Sequence, residues 1–375
     1  MALSASASLA AEGLDTRAPS AFLIETQTGT VLFSKEPSLG FAPGSLTKVM
    51  TAAVVFKALS DGETTQDTKC YVSEHAWRSG GAPSGRATMF ASIKSEVEVI
   101  NLLQGLLVHN ANDAAIILAE CLEGSEAAFA KRMTALAMDL GMRDSFFANP
   151  TGYVDDDTNA KSVTTVRDLA ILAQYILSNH KDLYKLFGQS DFTWNKIFQR
   201  NKSPILGEIR DLDGLGGGQD EEDGYSALAS VDRSGRRIIA VVAKLENDKN
   251  RLAALREVVE GAWEFFDVQK LYKSGEVITE ARVFGGVEGA VGLKAVSDIN
   301  VLLPRSGNLD YRLRAVYEGP LVAPVAANTV VGEIRVIGRD GIVHTSELAT
   351  TDDVARGDMQ QRALGALWEL LFGWF

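Results

Sequence analysis

The hydrophobic and polar positions divide the chain into two parts of different texture. Up to about residue 267, short apolar runs typical of strands occur at both ends, and apolar patterns with helical spacing lie between them. The strand-type runs are residues 21–25, 30–33, 70–73, 212–215, 225–231 and 237–245, and the helical ones are residues 45–59, 96–108, 113–122, 126–140, 166–179 and 249–266. This order favours a sheet built from both ends of the domain, with a helical cluster packed on it.

From about residue 268 the helical pattern gives way to short strand-type runs separated by Gly, Asp and Asn. These runs are residues 277–278, 291–293, 299–303, 310–316 and 332–337. They predict a separate small all-β domain over residues 268–350, which makes the whole chain α+β.

The two ends of the chain have a composition of their own. Residues 1–19 are predicted to be a leader, either the remnant of a secretory signal or a disordered segment. Residues 351–375 are predicted to be a linker and an amphipathic helix, which runs from Asp358 to Phe375 with aromatic side chains along one side. That helix is too short to cross a bilayer, so we expect it either to lie on a membrane surface or to dock on the protein itself.

Composition excludes some classes of function. The formal net charge of −12 argues against nucleic acid as a partner. The two cysteines, Cys70 and Cys121, have neither metal-site spacing nor the number expected of a disulfide framework. Cys121 lies in an apolar helical run and is predicted to be a core residue, and whether the two pair stays open. The four histidines are isolated, so neither a metal nor a cofactor is predicted; they are His75, His109, His180 and His344.

One short segment suggests nucleophilic chemistry. Pro43 and Gly44 end the preceding structure, and a helical pattern begins at Ser45. Ser45 and Lys48 are three residues apart, so they lie on one face of that helix. An amine of lowered pKa beside a hydroxyl at a helix N-terminus can activate the hydroxyl as a nucleophile. The alternative is a helix cap followed by a surface lysine.

Three further segments follow this one along the chain, and their order and spacing are informative. They are Leu106-Leu107-Val108-His109-Asn110-Ala111-Asn112-Asp113-Ala114, Phe147-Ala148-Asn149-Pro150-Thr151-Gly152, and Asp213-Gly214-Leu215 before a hairpin. With Ser45-Leu46-Thr47-Lys48, they resemble the low-molecular-mass penicillin-binding proteins that act as D-alanyl-D-alanine carboxypeptidases. The resemblance covers about residues 20–350. It implies a penicillin-binding, serine β-lactamase-like transpeptidase domain over residues 20–267, and it makes the C-terminal helix look like the family's membrane anchor.

The resemblance also implies roles for individual residues. Ser45 would be the acylated nucleophile and Lys48 its base. The family's Ser-x-Asn motif reads Asn110-Ala111-Asn112 here, so an amide that cannot shuttle a proton replaces the serine hydroxyl. Asn112, which would hold the substrate amide, is retained.

The family's third motif, Lys-Thr-Gly, reads Gly216-Gly217-Gly218 in this chain. Only its final glycine survives, so the cation that grips the peptide carboxylate and favours a neutral Lys48 is missing. The acidic residues 220–223 follow at once. They would either repel an anionic peptide and keep Lys48 protonated, or form a solvated loop tip.

Three hypotheses for function follow. The first is a periplasmic or extracytoplasmic carboxypeptidase acting on peptidoglycan stem peptides, with β-lactams as further ligands. Its oxyanion hole would consist of the Ser45 backbone N–H and one N–H of the third-motif strand. The second is a catalytically impaired homologue that binds cell-wall peptide or serves as a scaffold. The third is a Ser–His–Asp hydrolase in which His109 is the base.

Overall fold

We describe the protein from a computed structural model, which defines residues 14–154, 160–305, 311–338 and 341–360. The chain forms two compact units, the first made mainly of residues 14–264 and the second mainly of residues from 265 onward. Most of the predicted leader and of the predicted C-terminal helix, residues 1–13 and 361–375, lies outside the described residues. Within the described chain, no helix is long and apolar enough to span a membrane.

The first unit contains nine strands and eight helices among the described residues. The strands are β1 (Ser20–Glu25), β2 (Val31–Lys35), β3 (Lys69–Tyr71), β4 (Glu96–Glu98), β5 (Asp191–Trp194), β6 (Ile197–Arg200), β7 (Leu212–Asp220), β8 (Gly224–Arg233) and β9 (Arg236–Leu245). The helices are α1 (Thr47–Ser60), α2 (Glu74–Ser79), α3 (Val99–Val108), α4 (Asn112–Glu123), α5 (Glu126–Leu140), α6 (Val166–Asn179), α7 (Lys181–Tyr184) and α8 (Asp248–Glu264). Single 3₁₀ turns cover Gly44–Leu46, Ala82–Ser84 and Lys185–Gly188.

The main sheet confirms that both ends of the domain build it. Its five strands lie in the order β2-β1-β9-β8-β7, and β1 pairs antiparallel with β9 so that Phe22 faces Val241. Residues 238–243 of β9 are all buried because α6 and α8 both pack against this strand. A strand covered in this way has a continuous apolar run rather than an alternating one.

Helix α1 lies at the centre of the helical cluster. It packs against α3, α4, α5 and α6, and every residue from 46 to 56 is buried. Such a helix has no polar face, so its few polar side chains must find partners inside the protein. The 3₁₀ turn Gly44–Leu46 leads directly into it, which places Ser45 just before its first turn.

The two cysteines form a disulfide between β3 and α4, with their Cα atoms 5.4 Å apart. The prediction that Cys121 is a core residue is therefore wrong: Cys121 is half-buried, and its sulfur is bonded to that of Cys70. The chain folds these two residues together although 51 positions separate them. Spacing along the sequence carries no information about such a contact.

The second unit is β-rich, as its sequence texture predicts. Its strands are β10 (Phe266–Tyr272), β11 (Val277–Phe284), β12 (Ala290–Ala295), β13 (Ile299–Pro304), β14 (Arg312–Tyr317), β15 (Leu321–Val322), β16 (Val330–Gly338) and β17 (Gly341–Thr350). One sheet has the order β14-β16-β17-β12-β11-β15, and β10 pairs with β13 in a second. Buried Leu293, Ile299, Ile334 and Leu348 belong to its core.

Candidate active site

A narrow cavity of about 40 Å³ lies at the start of α1. It brings together Ser45 and Lys48 from α1 and the turn before it, Asn110 from the α3–α4 connection, and Gly216 and Gly217 from edge strand β7. Its other lining residues are Leu46, Val49, Leu106, Leu107, Phe187, Lys202, Ser203, Pro204 and Leu215. Five of the seven residues predicted for the site therefore share one cavity, and Asn112 and Gly218 are not among its lining residues.

Lys48 is a buried amine that donates a hydrogen bond to a backbone carbonyl. Its side chain is 2% exposed, and its Nζ donates to the backbone carbonyl of Thr151 at 3.0 Å. Burial, and after it the positive charge of Arg86, lowers the pKa of Lys48 from 10.5 to about 7. A large share of this lysine is thus uncharged near neutral pH, which is the form that can accept a proton. The alternative of a surface lysine is excluded.

The carbonyl that Lys48 contacts is positioned by Asn149. The Oδ1 atom of Asn149 accepts hydrogen bonds from Thr151 N at 3.1 Å, Thr151 Oγ1 at 3.0 Å and Gly152 N at 2.8 Å. Its Nδ2 atom donates to the carbonyl of Tyr153 at 2.6 Å. Asn149 therefore stabilises the turn of residues 149–153. Thr51 Oγ1 connects this turn to α1 by donating to the Pro150 carbonyl at 2.7 Å.

Gly152 of this turn tolerates no side chain. Its φ is +84°, and a Cβ atom there would lie 1.9 Å from the carbonyl oxygen of Gly44. We expect Gly152→Ala to lower the free energy of unfolding by about 3–5 kcal/mol, because backbone strain adds to a clash between backbones. Urea denaturation followed by circular dichroism measures this loss.

Gly141 offers a matched control for Gly152. Its φ is +88°, yet a Cβ atom there would meet no atom within 4 Å. Gly141→Ala should therefore lower the free energy of unfolding only through backbone strain, by about 1 kcal/mol. Equal losses for the two variants would contradict the close approach of Gly152 to Gly44.

Asn110 reaches the candidate nucleophile directly. Its Nδ2 donates to Ser45 Oγ at 3.1 Å, and its backbone adopts φ +58°. Asparagine tolerates this left-handed conformation better than most residues do. The amide supplies a hydrogen-bond donor to the serine oxygen but has no proton to give away.

Asn112 lies in the first turn of α4, is 1% exposed and points at a neighbouring loop. Its backbone N and its Nδ2 both donate to the carbonyl of Ala87, at 2.8 and 2.9 Å. The next residue, Asp113, accepts hydrogen bonds from Thr88 Oγ1, Met89 N and Ala91 N. The start of α4 thus fixes the loop after the 3₁₀ turn Ala82–Ser84. The substrate contact expected of Asn112 stays a prediction.

The three consecutive glycines of β7 have different surroundings. A Cβ atom on Gly216 would have only Leu46 Cδ2 nearby, at 4.0 Å. One on Gly217 would lie 2.6 Å from Pro204 Cγ and 2.9 Å from Arg251 Nη1. One on Gly218 would lie 2.0 Å from the Pro43 carbonyl oxygen, so glycine there lets β7 approach the segment before Ser45.

The acidic run after β7 does not line the cavity. Asp223 accepts from Ala42 N at 2.8 Å and pairs with Lys244. Although partial burial works in the opposite direction, the hydrogen bond from Lys244 holds the pKa of Asp223 below its ordinary value. Glu222 pairs with Lys161 at 2.8 Å. Glu221 and Glu222 are exposed in a turn, which agrees with the expectation of a solvated loop tip. The repulsion of an anionic peptide stays a prediction.

His109 does not lie where it could act as the base for Ser45 in a Ser–His–Asp hydrolase. Its Nδ1 donates to the Arg200 carbonyl at 3.2 Å, and it is not among the residues that line the cavity. Burial lowers its pKa. Among the described residues, moreover, no group of three or more His, Cys, Asp or Glu side chains is arranged to hold a metal ion.

Sequence reasoning missed several residues around the cavity. Arg86 Cζ lies 4.0 Å from the centroid of the Tyr153 ring, and Lys202 lines the cavity wall. Asn149 is present in the Phe147–Gly152 segment, whose Asn-Pro-Thr-Gly sequence signals a turn. Arg86 and Lys202 have no comparable signal, because only folding brings their loops to the start of α1.

Comparison with known proteins agrees with this geometry. Residues 5–247 match the profile of the family described as D-alanyl-D-alanine carboxypeptidase, and residues 266–356 match the C-terminal domain of penicillin-binding protein 5. The D-alanyl-D-alanine carboxypeptidase DacA of Haemophilus influenzae is 28% identical over 354 residues, which is 93% of this chain and 87% of that protein. DacF of Bacillus subtilis is 29% identical over 350 residues, which is 92% of this chain and 86% of that protein.

Solved structures of penicillin-binding proteins are also similar to this chain. Penicillin binding protein 5 of Haemophilus influenzae has a TM-score of 0.76 and 28% identity, covering 91% of this chain and 98% of its own. Penicillin-binding protein D2 of Listeria monocytogenes, solved in a cefotaxime-bound form, has a TM-score of 0.56 and 26% identity, covering 66% of this chain and 98% of its own. The resemblance seen in the sequence motifs is therefore confirmed across both units, and the chain belongs to the D-alanyl-D-alanine carboxypeptidase family of penicillin-binding proteins.

Proposed function

We propose that this protein is an active serine carboxypeptidase that removes the terminal D-alanine from peptidoglycan stem peptides through an acyl-enzyme on Ser45. The observation that carries the proposal is Lys48, a buried amine with a pKa of about 7 in the same cavity as the Ser45 hydroxyl. A general base is most useful when its pKa lies near the working pH.

In this mechanism Lys48 takes the Ser45 proton as Oγ attacks the carbonyl carbon of the penultimate residue. The oxyanion is bound by the Ser45 backbone N–H and by one N–H of β7. Asn110 donates its amide N–H to Ser45 Oγ, which favours the deprotonated oxygen but transfers nothing. The proton therefore returns from Lys48 itself to the leaving amine of D-alanine. Lys48 next activates the water that hydrolyses the ester and frees Ser45.

The substrate carboxylate needs a cation that Gly216 cannot supply. Lys202 lines the same cavity, and no carboxylate is among the lining residues. Its side chain is exposed, and its backbone N donates to the Val108 carbonyl at 2.8 Å. We propose that Lys202 binds the terminal carboxylate. No observation on the described residues favours a scaffold without activity over the peptidase.

We also propose an extracytoplasmic location. The Cys70–Cys121 disulfide supports it, because disulfides persist in oxidising compartments such as the periplasm. Two further parts of the proposal rest on other grounds. β-Lactams are proposed as ligands by analogy with the cefotaxime-bound relative. Membrane-surface binding through residues 358–375 rests on the sequence pattern alone.

The pH dependence of acylation tests the proposal. Because only uncharged Lys48 can act as base, labelling by a fluorescent penicillin should accelerate as pH rises through about 7 and level off by about pH 8.5. Digestion and mass spectrometry should place the adduct on the Ser45 peptide, and D-alanine release from a stem peptide should follow the same curve. No adduct at any pH, or a rate that rises only above about pH 9.5, where an ordinary lysine titrates, would contradict the mechanism.

A further inference from the structure

The family's third motif, Lys-Thr-Gly, places a lysine on the strand beside the nucleophile. The corresponding strand of this chain, β7, has no lysine. Gly216 and Gly217 present no side chain to the cavity, so β7 supplies no positive charge beside Lys48. A nearby cation favours the neutral form of an amine, because two like charges repel. Another described residue can supply this charge.

The charged groups of Arg86 and Lys48 both lie close to the ring of Tyr153. Arg86 Cζ lies 4.0 Å from the centroid of Tyr153, and Lys48 Nζ lies 5.6 Å from the same centroid. The negative face of a tyrosine ring attracts cations, so Tyr153 keeps the guanidinium close to the cavity. Guanidinium stays charged at every pH at which the protein is folded, and so its influence on Lys48 is constant.

Partly buried hydrogen bonds hold the backbone around both Arg86 and Tyr153. The residue after Arg86, Ala87, is fixed through its carbonyl by the backbone and side chain of Asn112. Arg86 N itself donates to Ser84 Oγ at 3.2 Å. On the other side, Tyr153 is fixed through its carbonyl by Asn149 and through its N–H by Thr151 Oγ1. The position of Arg86 over the ring is therefore built into two anchored loops.

The other charged groups facing α1 do not cancel this charge. From α4, Asp113 accepts hydrogen bonds from Thr88 Oγ1 and from three backbone N–H groups. From α6, Asp168 accepts from Ser145 Oγ and Asp144 N. His109 at the end of α3 bonds the Arg200 carbonyl, and His180 after α6 contacts Ser60 and Tyr175. Arg132 of α5 pairs with Glu63 and Glu123. Lys202 on the cavity wall adds a second positive charge, and among the described residues no carboxylate pairs with Arg86.

We propose that Arg86, held on the face of Tyr153, is a positioning residue that keeps Lys48 uncharged in place of the lysine that β7 lacks. The use of Lys48 as a base rests on the proposed function, whereas the electrostatic effect of Arg86 on it does not. The two can therefore be measured separately.

Direct titration of Lys48 tests the electrostatic effect without any need for activity. In protein labelled with ¹³Cε-lysine, the Lys48 signal is identified by its loss in Lys48→Met, and its midpoint is followed by NMR. Arg86→Gln should raise the midpoint by about one pH unit, and Arg86→Lys, which keeps the charge, should leave it within about 0.3 unit.

Arg78→Gln is the matched control, since it removes an exposed arginine that pairs with Glu74 on α2. It should not move the Lys48 midpoint. An unchanged midpoint in Arg86→Gln, or an equal shift in Arg78→Gln, would overturn the proposal.

Acylation provides the second readout. Labelling of Arg86→Gln by fluorescent penicillin should be about tenfold slower than wild type near pH 6 and equal to it near pH 9, whereas structural damage would slow it at both. If the wild-type protein takes no label at any pH, the proposed function fails while the NMR titration still decides the role of Arg86.

Discussion

Replacing Ser45 with alanine is expected to abolish the covalent penicillin adduct and to lower D-alanine release by at least about 10⁴-fold. The variant lacks the hydroxyl oxygen that forms the ester in the proposed mechanism. The rest of the cavity should stay intact, because Ser45 is half-buried and its Oγ has a single described partner, Asn110 Nδ2. The measurement is fluorescent labelling on a gel together with an assay of free D-alanine.

Lys48 should be almost as important as Ser45. Lys48→Met, which fills the same buried space without a base, should slow acylation by about 10²–10⁴-fold. Lys57→Met is its control on the same helix, because Lys57 is exposed and pairs with Asp61. Labelling that survives Ser45→Ala would place the nucleophile elsewhere, and equal rates for the two lysine variants would remove Lys48 from the mechanism.

Gly216→Lys is expected to raise the catalytic efficiency for a peptide with a free C-terminal carboxylate by about 10- to 100-fold. A Cβ atom fits at this position, where its nearest neighbour would be Leu46 Cδ2 at 4.0 Å, and the added ammonium would enter the cavity of Ser45. A well-placed charge on a substrate carboxylate contributes about 1.4–2.8 kcal/mol, which corresponds to this gain. Steady-state release of D-alanine measures it.

Two controls separate charge from shape in this variant. Gly216→Met has a side chain of similar length without the charge and should show no gain. A peptide with an amidated C-terminus should be cleaved equally by wild type and Gly216→Lys. A gain that persists with the amidated peptide would show that the lysine does not act on the carboxylate.

Restoring the next motif residue should have the opposite outcome. Gly217→Thr places a Cβ atom 2.6 Å from Pro204 Cγ and 2.9 Å from Arg251 Nη1, so these neighbours must shift. We therefore expect Gly217→Thr to lower stability, and Gly216→Lys with Asn110→Ser to restore more activity than all three substitutions together. The glycine at 217 has become part of the packing around Arg251.

Much of the fold could be predicted because local patterns repeat within single elements. The helices over 126–140 and 166–179 have the predicted bounds, since each has an apolar stripe and a capping side chain, Ser125 or Thr165. The sheet formed from both ends of the domain followed from the order of strands and helices. The hairpin of β5 and β6 was missed, because exposed Ile197 and Phe198 break the alternation expected of a half-buried strand.

The sequence by itself determined which residues are the candidate nucleophile and base and which motifs are altered, because Ser45 and Lys48 are neighbours within one helical turn and the other motifs are short contiguous segments. Only the tertiary structure decided what surrounds them. Burial within the helical cluster and the charge of Arg86 lower the pKa of Lys48, and the Thr151 carbonyl accepts a hydrogen bond from its Nζ. Each of these comes from a different part of the chain. The physical reason is that desolvation and Coulomb forces depend on distance in space, which residue spacing along the chain does not specify beyond a single element.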